Sequence, residues 1–562
     1  MRNWEQAGLY SGYLADSLIW GFSPGGEKLG RWLLLHLAEQ AQQGHLRTDL
    51  SKLELEMEEW LSSLEGLGET MGSIPRQITD ELGNLISLGE KNGLIAKLAE
   101  PNSPALSLEK PRPPLVLSSD GRYLYFLRRR KEEDLLLKKL EIRSRKAVPM
   151  GEFYSQGEQE AAVTASSGLD AAAILFDKLA SGLRLILLSG GPGTGKTTAI
   201  VNLLSLLALN KLRVVLAAPT GRAAARITES LKGKIGADRN LIGRTIQSLI
   251  KMLPNREPRH NADNPIAADL VIVDEVSMVD VVLMNRLLDA LPGNAALILV
   301  GDPDQLPSVE SGTLLADLLS GAGEAENANR RGPLQGATLT LNRAYRSDTG
   351  ILDAAAAVRA GNAEILWDVF ENDESLSWHT MVGSSEMARL IANEYKKRSD
   401  FSELSVLSPL RRGYWSVSML NDKISQIIGG RTTPFEGMPV VINRNDASRS
   451  LWNGDRGRIV LRGGRCWARI GTEGREFPLA ALPGLEPAWV QTIHKSQGSE
   501  FDEVIVILPQ GTGHLLTREN LYTAITRAKK RVSLFAEFTE AKGILARTVT
   551  RNSRIRDWAA AA

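Results

Sequence analysis

One nonapeptide constrains this chain more than any other feature. G-G-P-G-T-G-K-T-T, Gly190–Thr198, follows the apolar run L-R-L-I-L-L (183–188) and precedes the helical pattern T-T-A-I-V-N-L-L-S-L-L. It fits G-x-x-x-x-G-K-[ST] at Gly190, Gly195, Lys196 and Thr197. Glycines let a backbone curl until successive N–H groups converge on phosphate oxygens. Gly190, Gly191, Pro192, Gly193, Thr194 and Gly195 are therefore read as the phosphate loop of an ATP site, with Thr198 behind it. The helix opening near Lys196 adds its positive end. Lys196 is expected to reach the β- and γ-oxygens and Thr197 to ligate Mg²⁺. A chance glycine loop is the alternative, and the strand before and helix after it argue against that.

A strand, loop and helix in this order require a covered parallel sheet, and the rest of the chain supplies one. R-V-V-L-A-A (213–218), L-V-I-V (270–273) and A-L-I-L-V (296–300) are continuous apolar runs between helical patterns. L-S-V-L-S (404–408), E-V-I-V-I-L (503–508) and V-S-L-F-A (532–536) repeat the texture. Two tandem α/β domains are expected, over 151–340 and 341–562. Short strands with Gly and Asn-Gly turns interrupt the second over 430–487, a small β-barrel pattern. Residues 1–115 carry helical patterning, as in L-G-R-W-L-L-L-H-L-A-E (Leu29–Glu39), and 116–150 are expected as a linker. Within that linker R-Y-L-Y-F-L (122–127) alternates like a strand, and R-R-R-K-E-E-D reads as a solvated helix start. Gly321–Ala337, rich in Gly, Ala and Asn, reads as a surface loop.

At 562 residues the chain exceeds a single core. Its net charge of +1 gives no global field for a polyanion, so any nucleic-acid site must be a local groove. The single cysteine, Cys466, excludes a disulfide framework and a cysteine-rich zinc site and suits the cytoplasm. No apolar run reaches the ~18 residues of a membrane span, so no membrane partner is expected.

Two acids end the third strand. Asp274 is read as part of the Mg²⁺ shell and Glu275 as the group that polarises the attacking water. Gln305, in G-D-P-D-Q-L-P-S-V (301–309), stands just past the next strand, where it can sense a γ-phosphate; a polar turn held by Asp302 and Asp304 is the plainer reading. Gln159, with Gln156 as alternative, opens the helical stretch upstream and is a candidate clamp for the adenine edge.

Six motifs in order carry a resemblance. A-A-P-T-G-R-A-A-A-R (217–226), V-D-E-V-S-M-V-D (273–280), G-D-P-D-Q-L-P-S-V-E-S-G (301–312), A-Y-R-S (344–347), V-Q-T-I-H-K-S-Q-G-S-E-F-D (490–502) and L-Y-T-A-I-T-R-A-K-K (521–530) resemble the RecD family of superfamily 1 helicases. They run from 217 to 530, more than half of the 562 residues. The resemblance implies two RecA-like motor domains, an SH3-like barrel in the second, and an ATP-driven 5′→3′ DNA translocase. It further implies that Tyr345 stacks on adenine and that Arg346 and Arg527 reach the γ-phosphate from the second domain, with Arg518 a weaker candidate. R-T-I-Q-S-L-I (244–250) departs from the pattern, with Gln247 where the family usually carries histidine.

A motor needs a strand to pull. Pro219, Thr220, Gly221 and Arg222 are expected to hold DNA phosphates from the first domain. Thr492, His494 and Ser496 are expected to share a face doing so from the second, with Arg444 and Asn453 adding contacts from the barrel. Such contacts grip backbone without reading bases. Read as extended chain, H-K-S places His494 and Lys495 on opposite sides, which argues against a Ser-His nucleophile. Gln497, Gly498 and Glu500 then turn toward the nucleotide. R-E-P-R-H-N-A-D-N-P (256–265) resembles the family's duplex-splitting hairpin, with a solvated loop the alternative. Two settings remain open. One is a subunit of a RecBCD-type exonuclease V working on DNA ends beside RecB-like and RecC-like partners, the N-terminal block docking on them. The other is an autonomous helicase. No nuclease constellation stands outside the nucleotide site. A non-motor ATP-binding scaffold and an RNA helicase fit less well.

Overall fold

A computed structural model describes short stretches within 33–98 and then residues 114–145, 171–207, 212–232, 241–253, 256–308, 312–328, 330–342, 349–398, 403–411 and 413–430. It continues over 434–482 apart from 445, 447, 448, 450, 452, 472 and 473, and over 484–512, 516–549 and 551–561. No helix among them is long and apolar enough to cross a membrane.

The first α/β unit is a six-stranded parallel sheet. Its spatial order is Thr338–Leu341, Leu185–Gly190, Ala296–Gly301, Leu270–Val273, Val214–Ala218 and Arg244–Thr245. Side chains along a strand alternate between faces. Leu185 and Leu187 accordingly enter one apolar cluster, and Ile186 and Leu188 enter another. Helices Ala171–Ala180, Lys196–Leu206 and Gly221–Leu231 cover the second cluster; Leu127–Ser144, Val281–Ala290 and Leu314–Asn327 cover the first. Burial on both faces is why these strands read as unbroken apolar runs.

The second unit is a five-stranded parallel sheet in the order Leu376–His379, Ala528–Phe535, Phe501–Ile507, Leu404–Ser408 and Val490–Thr492. Val504 and Val506 face helices Thr349–Ala360, Ala363–Asn372, Arg518–Ile525 and Phe538–Leu545. Ile505 and Ile507 face Ser384–Lys396, Val417–Gly429 and the insert.

The insert is an antiparallel sheet of Pro439–Ile442, Arg456–Arg462, Arg465–Ile470, Arg475–Pro478 and Leu485–Pro487. Gly463 (φ 55°) and Gly464 (φ 74°) join its second and third strands; two consecutive positive φ values make the tight turn whose twist matches a hairpin. Its inner face, with Ile459, Ala468 and Ile470, merges with Tyr395 and Trp489 of the motor. Tyr395 donates to the Trp489 carbonyl at 2.7 Å, and the Trp489 indole donates to Ser425 at 2.9 Å.

Three expectations need correction. Residues 116–150 are not a bare linker, because helix Leu127–Ser144 inserts Leu136, Leu137 and Leu140 into the first core. Nor is R-R-R-K-E-E-D solvated throughout: Arg130 and Glu133 are fully buried. Arg130 pairs with Asp134 at 3.1 Å, Asp134 pairs with Arg554 at 2.6 Å, and Glu133 accepts from the Arg554 backbone N–H at 2.5 Å. Gly321 is no loop residue; it lies in helix Leu314–Asn327, against the C-terminal helix Ile555–Ala560. A Cβ at Gly321 would sit 2.4 Å from the Arg556 carbonyl, so this glycine serves close helix packing. Among the described residues of 1–115, a sheet of Thr48–Asp49, Ile95–Lys97 and Leu115–Leu117 with Tyr123–Phe126 accompanies the expected helical positions. Leu33 and Leu37 are helical and buried.

Candidate active site

The loop after Leu185–Gly190 turns through Gly193 (φ 69°) and Gly195 (φ 86°), conformations that side chains with a Cβ avoid. At Gly190 a Cβ would lie 2.6 Å from the Thr194 hydroxyl and 2.9 Å from the Leu341 carbonyl. The Thr194 hydroxyl donates to the Gly191 carbonyl at 2.8 Å and closes the loop. Helix Lys196–Leu206 starts directly behind it. The Lys196 ammonium donates to the carbonyls of Gly190 and Gly191, at 2.5 and 2.8 Å, and so lies across the mouth of the loop.

The loop forms one wall of a cleft of about 750 Å³. Pro192, Thr197, Thr198, Asp274, Glu275 and Gln305 line it from the first unit; Glu500, Thr526 and Arg527 line it from the second. Asp274 is half-buried in the cleft wall, and desolvation together with the neighbouring Glu275 carboxylate pushes its carboxyl up to about 6. The Glu275 N–H donates to it at 2.8 Å. Glu275 itself holds φ 55° and ψ 41°, a left-handed conformation that costs of order 1–3 kcal/mol away from glycine. That strain aims adjacent carboxylates differently.

Gln305 is buried and donates to Asp302 at 3.0 Å, while its amide oxygen has no partner. An unsatisfied buried acceptor beside a polar cleft marks a group awaiting a donor. Asp302 is raised by burial, opposed by Lys196, and accepts from Tyr522 of the second unit at 3.2 Å. Arg527 is buried, donating to the carbonyls of Thr523 at 3.1 Å and Ser499 at 3.2 Å. Burial lowers its pKa, against the pull of Glu275 and Glu500.

Sequence reading passed over three participants. Arg226 ends the P-T-G-R-A-A-A-R stretch, pairs with Glu500 across the cleft and feels both Glu275 and Asp274. Tyr522 and Thr523 reach from the second unit to Asp302 and to the Leu306 N–H. Their signal was their place within L-Y-T-A-I-T-R-A, one and two residues after the buried Leu521. Gln159, Gln156, Tyr345 and Arg346 lie outside the described residues. Arg518 is engaged away from the cleft, donating to the Leu545 carbonyl at 2.8 Å and the Arg359 carbonyl at 3.1 Å.

On the expected DNA side, Pro219 leads into Thr220, which caps helix Gly221–Leu231 by accepting from Ala223 N–H at 3.2 Å. That leaves its hydroxyl proton free to donate. Arg222 donates to Ser499 of the second unit, and burial beside Arg456 lowers its guanidinium to about 10. The H-K-S stretch is not extended. His494–Ser496 form a 3-10 turn, and Thr492 just before it accepts from Lys495 N–H at 3.2 Å. His494 is exposed, whereas Ser496 is fully buried and donates to the Ile493 carbonyl at 2.6 Å. Thr492, His494 and Ser496 therefore do not share one face. Lys495 pairs with Glu486 at 2.9 Å. Gln497 donates to the Leu306 carbonyl at 2.8 Å, reaching the turn after Gln305. Arg444 and Asn453 are exposed on the turns of the insert. Residues 256–265 form a compact turn with one bridge between Asn261 and Asn264.

A phosphate loop, a strand-end acid pair and a cross-cleft arginine define an ATPase motor of two halves. Residues 173–311 match an AAA domain model and 487–535 a UvrD-like helicase C-terminal domain model. The "RecBCD enzyme subunit RecD" of Mycolicibacterium smegmatis is 34% identical over 478 residues, 79% of this chain and 83% of that protein. The "ATP-dependent RecD2 DNA helicase" of Deinococcus radiodurans is 31% identical over 452 residues, 78% of this chain and 58% of that protein. A Bacteroides Pif1 helicase solved with ADP-AlF3 and single-stranded DNA is 17% identical, with a TM-score of 0.40 over 68% of this chain and 92% of that one; so distant a likeness adds nothing to the site. The chain belongs to the RecD family of ATP-dependent, superfamily 1 DNA helicases.

Proposed function

We propose that the chain translocates 5′→3′ along single-stranded DNA as the RecD-like subunit of a RecBCD-type helicase–nuclease acting at DNA ends in the cytoplasm. RecB-like and RecC-like partners would supply the nuclease and scaffold. The reading rests on one observation: Lys196, Asp274, Glu275 and Gln305 share a cleft with Arg527 from the other half. An arginine contributed across a cleft stabilises transition-state charge only while the cleft is closed, which ties hydrolysis to motion. In this reading the parallel sheets are RecA-like motor halves and the insert is an SH3-like barrel.

Each residue then has a task. Backbone N–H groups of Gly191–Gly195 and the Lys196 ammonium hold the β- and γ-phosphates. Glu275 orients water, Gln305 senses the γ-phosphate through its unpaired amide oxygen by way of that water, and Arg527 answers the charge that develops. Arg346, Tyr345 and Gln159 complete the set. Thr197 and Asp274 fit Mg²⁺, offering hard oxygen donors at one wall of the cleft. When bound, Mg²⁺ would neutralise phosphate charge. Pro219, Thr220, Gly221, Arg222, Thr492, His494, Arg444 and Asn453 hold the strand.

Single-stranded DNA should stimulate ATP hydrolysis, and Lys196→Gln should abolish it. A 5′-tailed duplex should unwind and a 3′-tailed one should not. An unchanged rate in the variant rejects the site, and reversed polarity rejects the direction. The likeness to the Deinococcus RecD2 helicase favours a second reading, an autonomous helicase. Affinity purification from the native cell separates the two: co-purified large subunits support the first and a solitary chain the second.

A further inference from the structure

The insert has an outer sheet face that the motor does not use. Cross-strand pairing sets Arg458 opposite Arg469, Val460 opposite Trp467, Arg462 opposite Arg465, and Arg469 opposite Glu476. Like charges directly opposite one another destabilise a sheet, and this face carries two such arginine pairs. One carboxylate offsets part of the repulsion. Glu476 takes two contacts from Arg462, at 2.8 and 2.9 Å, and two from Arg469, at 2.7 and 2.9 Å. Those arginines hold its carboxyl down to about 2. Arg458 and Arg465 are exposed and make no ion pair among the described residues. Trp467 lies between the pairs, half-buried, with no aromatic or cationic ring partner among the described residues.

Composition points the same way. Residues 430–487 contain nine arginines and no lysine, in a chain whose net charge is only +1. The face also stands apart from the expected motor contacts. Strand Arg456–Arg462 is rooted at the motor, where Arg456 donates to the Ala488 carbonyl at 3.1 Å and lies 5.0 Å from the Phe501 ring. It then runs about 20 Å out to the Gly463–Gly464 turn.

We infer that this outer face, formed by Arg458, Arg462, Arg465, Trp467 and Arg469, is a second binding site for single-stranded nucleic acid outside the motor cleft. Arginine forks take phosphates, and an indole flanked by them offers a stacking platform for a base. An acidic protein segment would use the arginines but gain nothing from the indole between them. The inference rests on the motor reading, since a translocase delivers strand past its own surface.

The test uses the full chain without nucleotide and labelled oligothymidylate of about 30 residues, with an oligomer of about 8 as the motor-only probe. Arg458→Ala combined with Arg465→Ala should flatten the slope of log affinity against log salt for the long probe by about 1.4, two phosphates' worth. Trp467→Ala should weaken it about 5- to 10-fold with the slope kept. ATP hydrolysis stimulated by the short probe should be unchanged in both. Wild-type slope and affinity in the variants would overturn the site. So would loss of poly-glutamate peptide binding in the double variant with oligonucleotide binding intact. Failure of the short probe to stimulate the wild-type chain would instead reject the motor reading, and leaves the salt slope readable.

Discussion

Asp274 shows what its place in the proposed site costs at the scale of one residue. Its carboxyl, half-buried beside Glu275, is pushed up to about 6, above the ordinary 3.8. An acid whose folded pKa is raised binds more protons folded than unfolded between those values, so stability falls as pH rises through that window. Above pH 6 the folded chain carries the full penalty, of order 3 kcal/mol. Asp274→Asn keeps the shape and the acceptor for Glu275 N–H but removes the charge. The variant should therefore lose hydrolysis yet be more stable, by up to about 3 kcal/mol at pH 8. The gain should shrink as pH drops below 6. Urea midpoints at pH 8 and pH 5.5 check it; equal midpoints for variant and parent at pH 8 would contradict the account.

At the scale of elements, some of the fold was legible and some was not. Strands such as Leu185–Gly190 announced themselves because burial on both faces leaves no polar interruption. Phosphate-loop residues were legible for a related reason, since their spacing is dictated by backbone geometry within one turn. Long-range packing was hidden. The glycines of helix Leu314–Asn327 look like loop punctuation until Arg556 is seen above Gly321. R-R-R-K-E-E-D looks solvated until Arg554, more than 400 residues on, comes to rest on Asp134. The 3-10 turn at His494–Ser496 was equally illegible, because a single Thr492 hydroxyl holds the Lys495 N–H within it. Helix Ile555–Ala560 thus staples the C-terminus to the first motor half, with Ile555 and Ala559 in its core. Gly321→Ala would force a methyl group against the Arg556 carbonyl and should destabilise that half by about 1–3 kcal/mol. Gly323, on the same helix with open space around it, is the control. Gly323→Ala should leave the midpoint unchanged or raise it by about 1 kcal/mol. Thermal melts of the two variants decide, and parity between them would reject the close-packing role.

Across the whole molecule, the nucleotide cleft and the expected DNA edge share one seam between the motor halves. Arg226 meets Glu500 and Arg222 meets Ser499 on the side of the P-T-G-R helix. Beneath them Tyr522 donates to Asp302, Thr523 accepts the Leu306 N–H at 2.9 Å, and Gln497 donates to the Leu306 carbonyl at 2.8 Å. Leu306 follows Gln305 directly, and Gln497 follows the turn that opens at His494. A shift of the second half on DNA must therefore move the backbone beside Gln305, the proposed γ-phosphate sensor. The last two are hydrogen bonds to buried backbone groups, so each loss leaves a donor or acceptor unsatisfied, at about 1–3 kcal/mol in the closed form. Thr523→Val and Gln497→Ala each break one of them without touching the phosphate loop. Either should lower DNA-stimulated turnover about 5- to 100-fold, the same free energy read as a population of closed molecules. ADP, which in the proposed reading is held chiefly by Gly190–Thr198, should keep its affinity within about 3-fold. Steady-state hydrolysis with and without oligonucleotide, beside a fluorescent-ADP titration, separates the two effects. If ADP affinity fell while turnover at saturating ATP and DNA held, the seam would be a binding wall and not the joint between grip and hydrolysis.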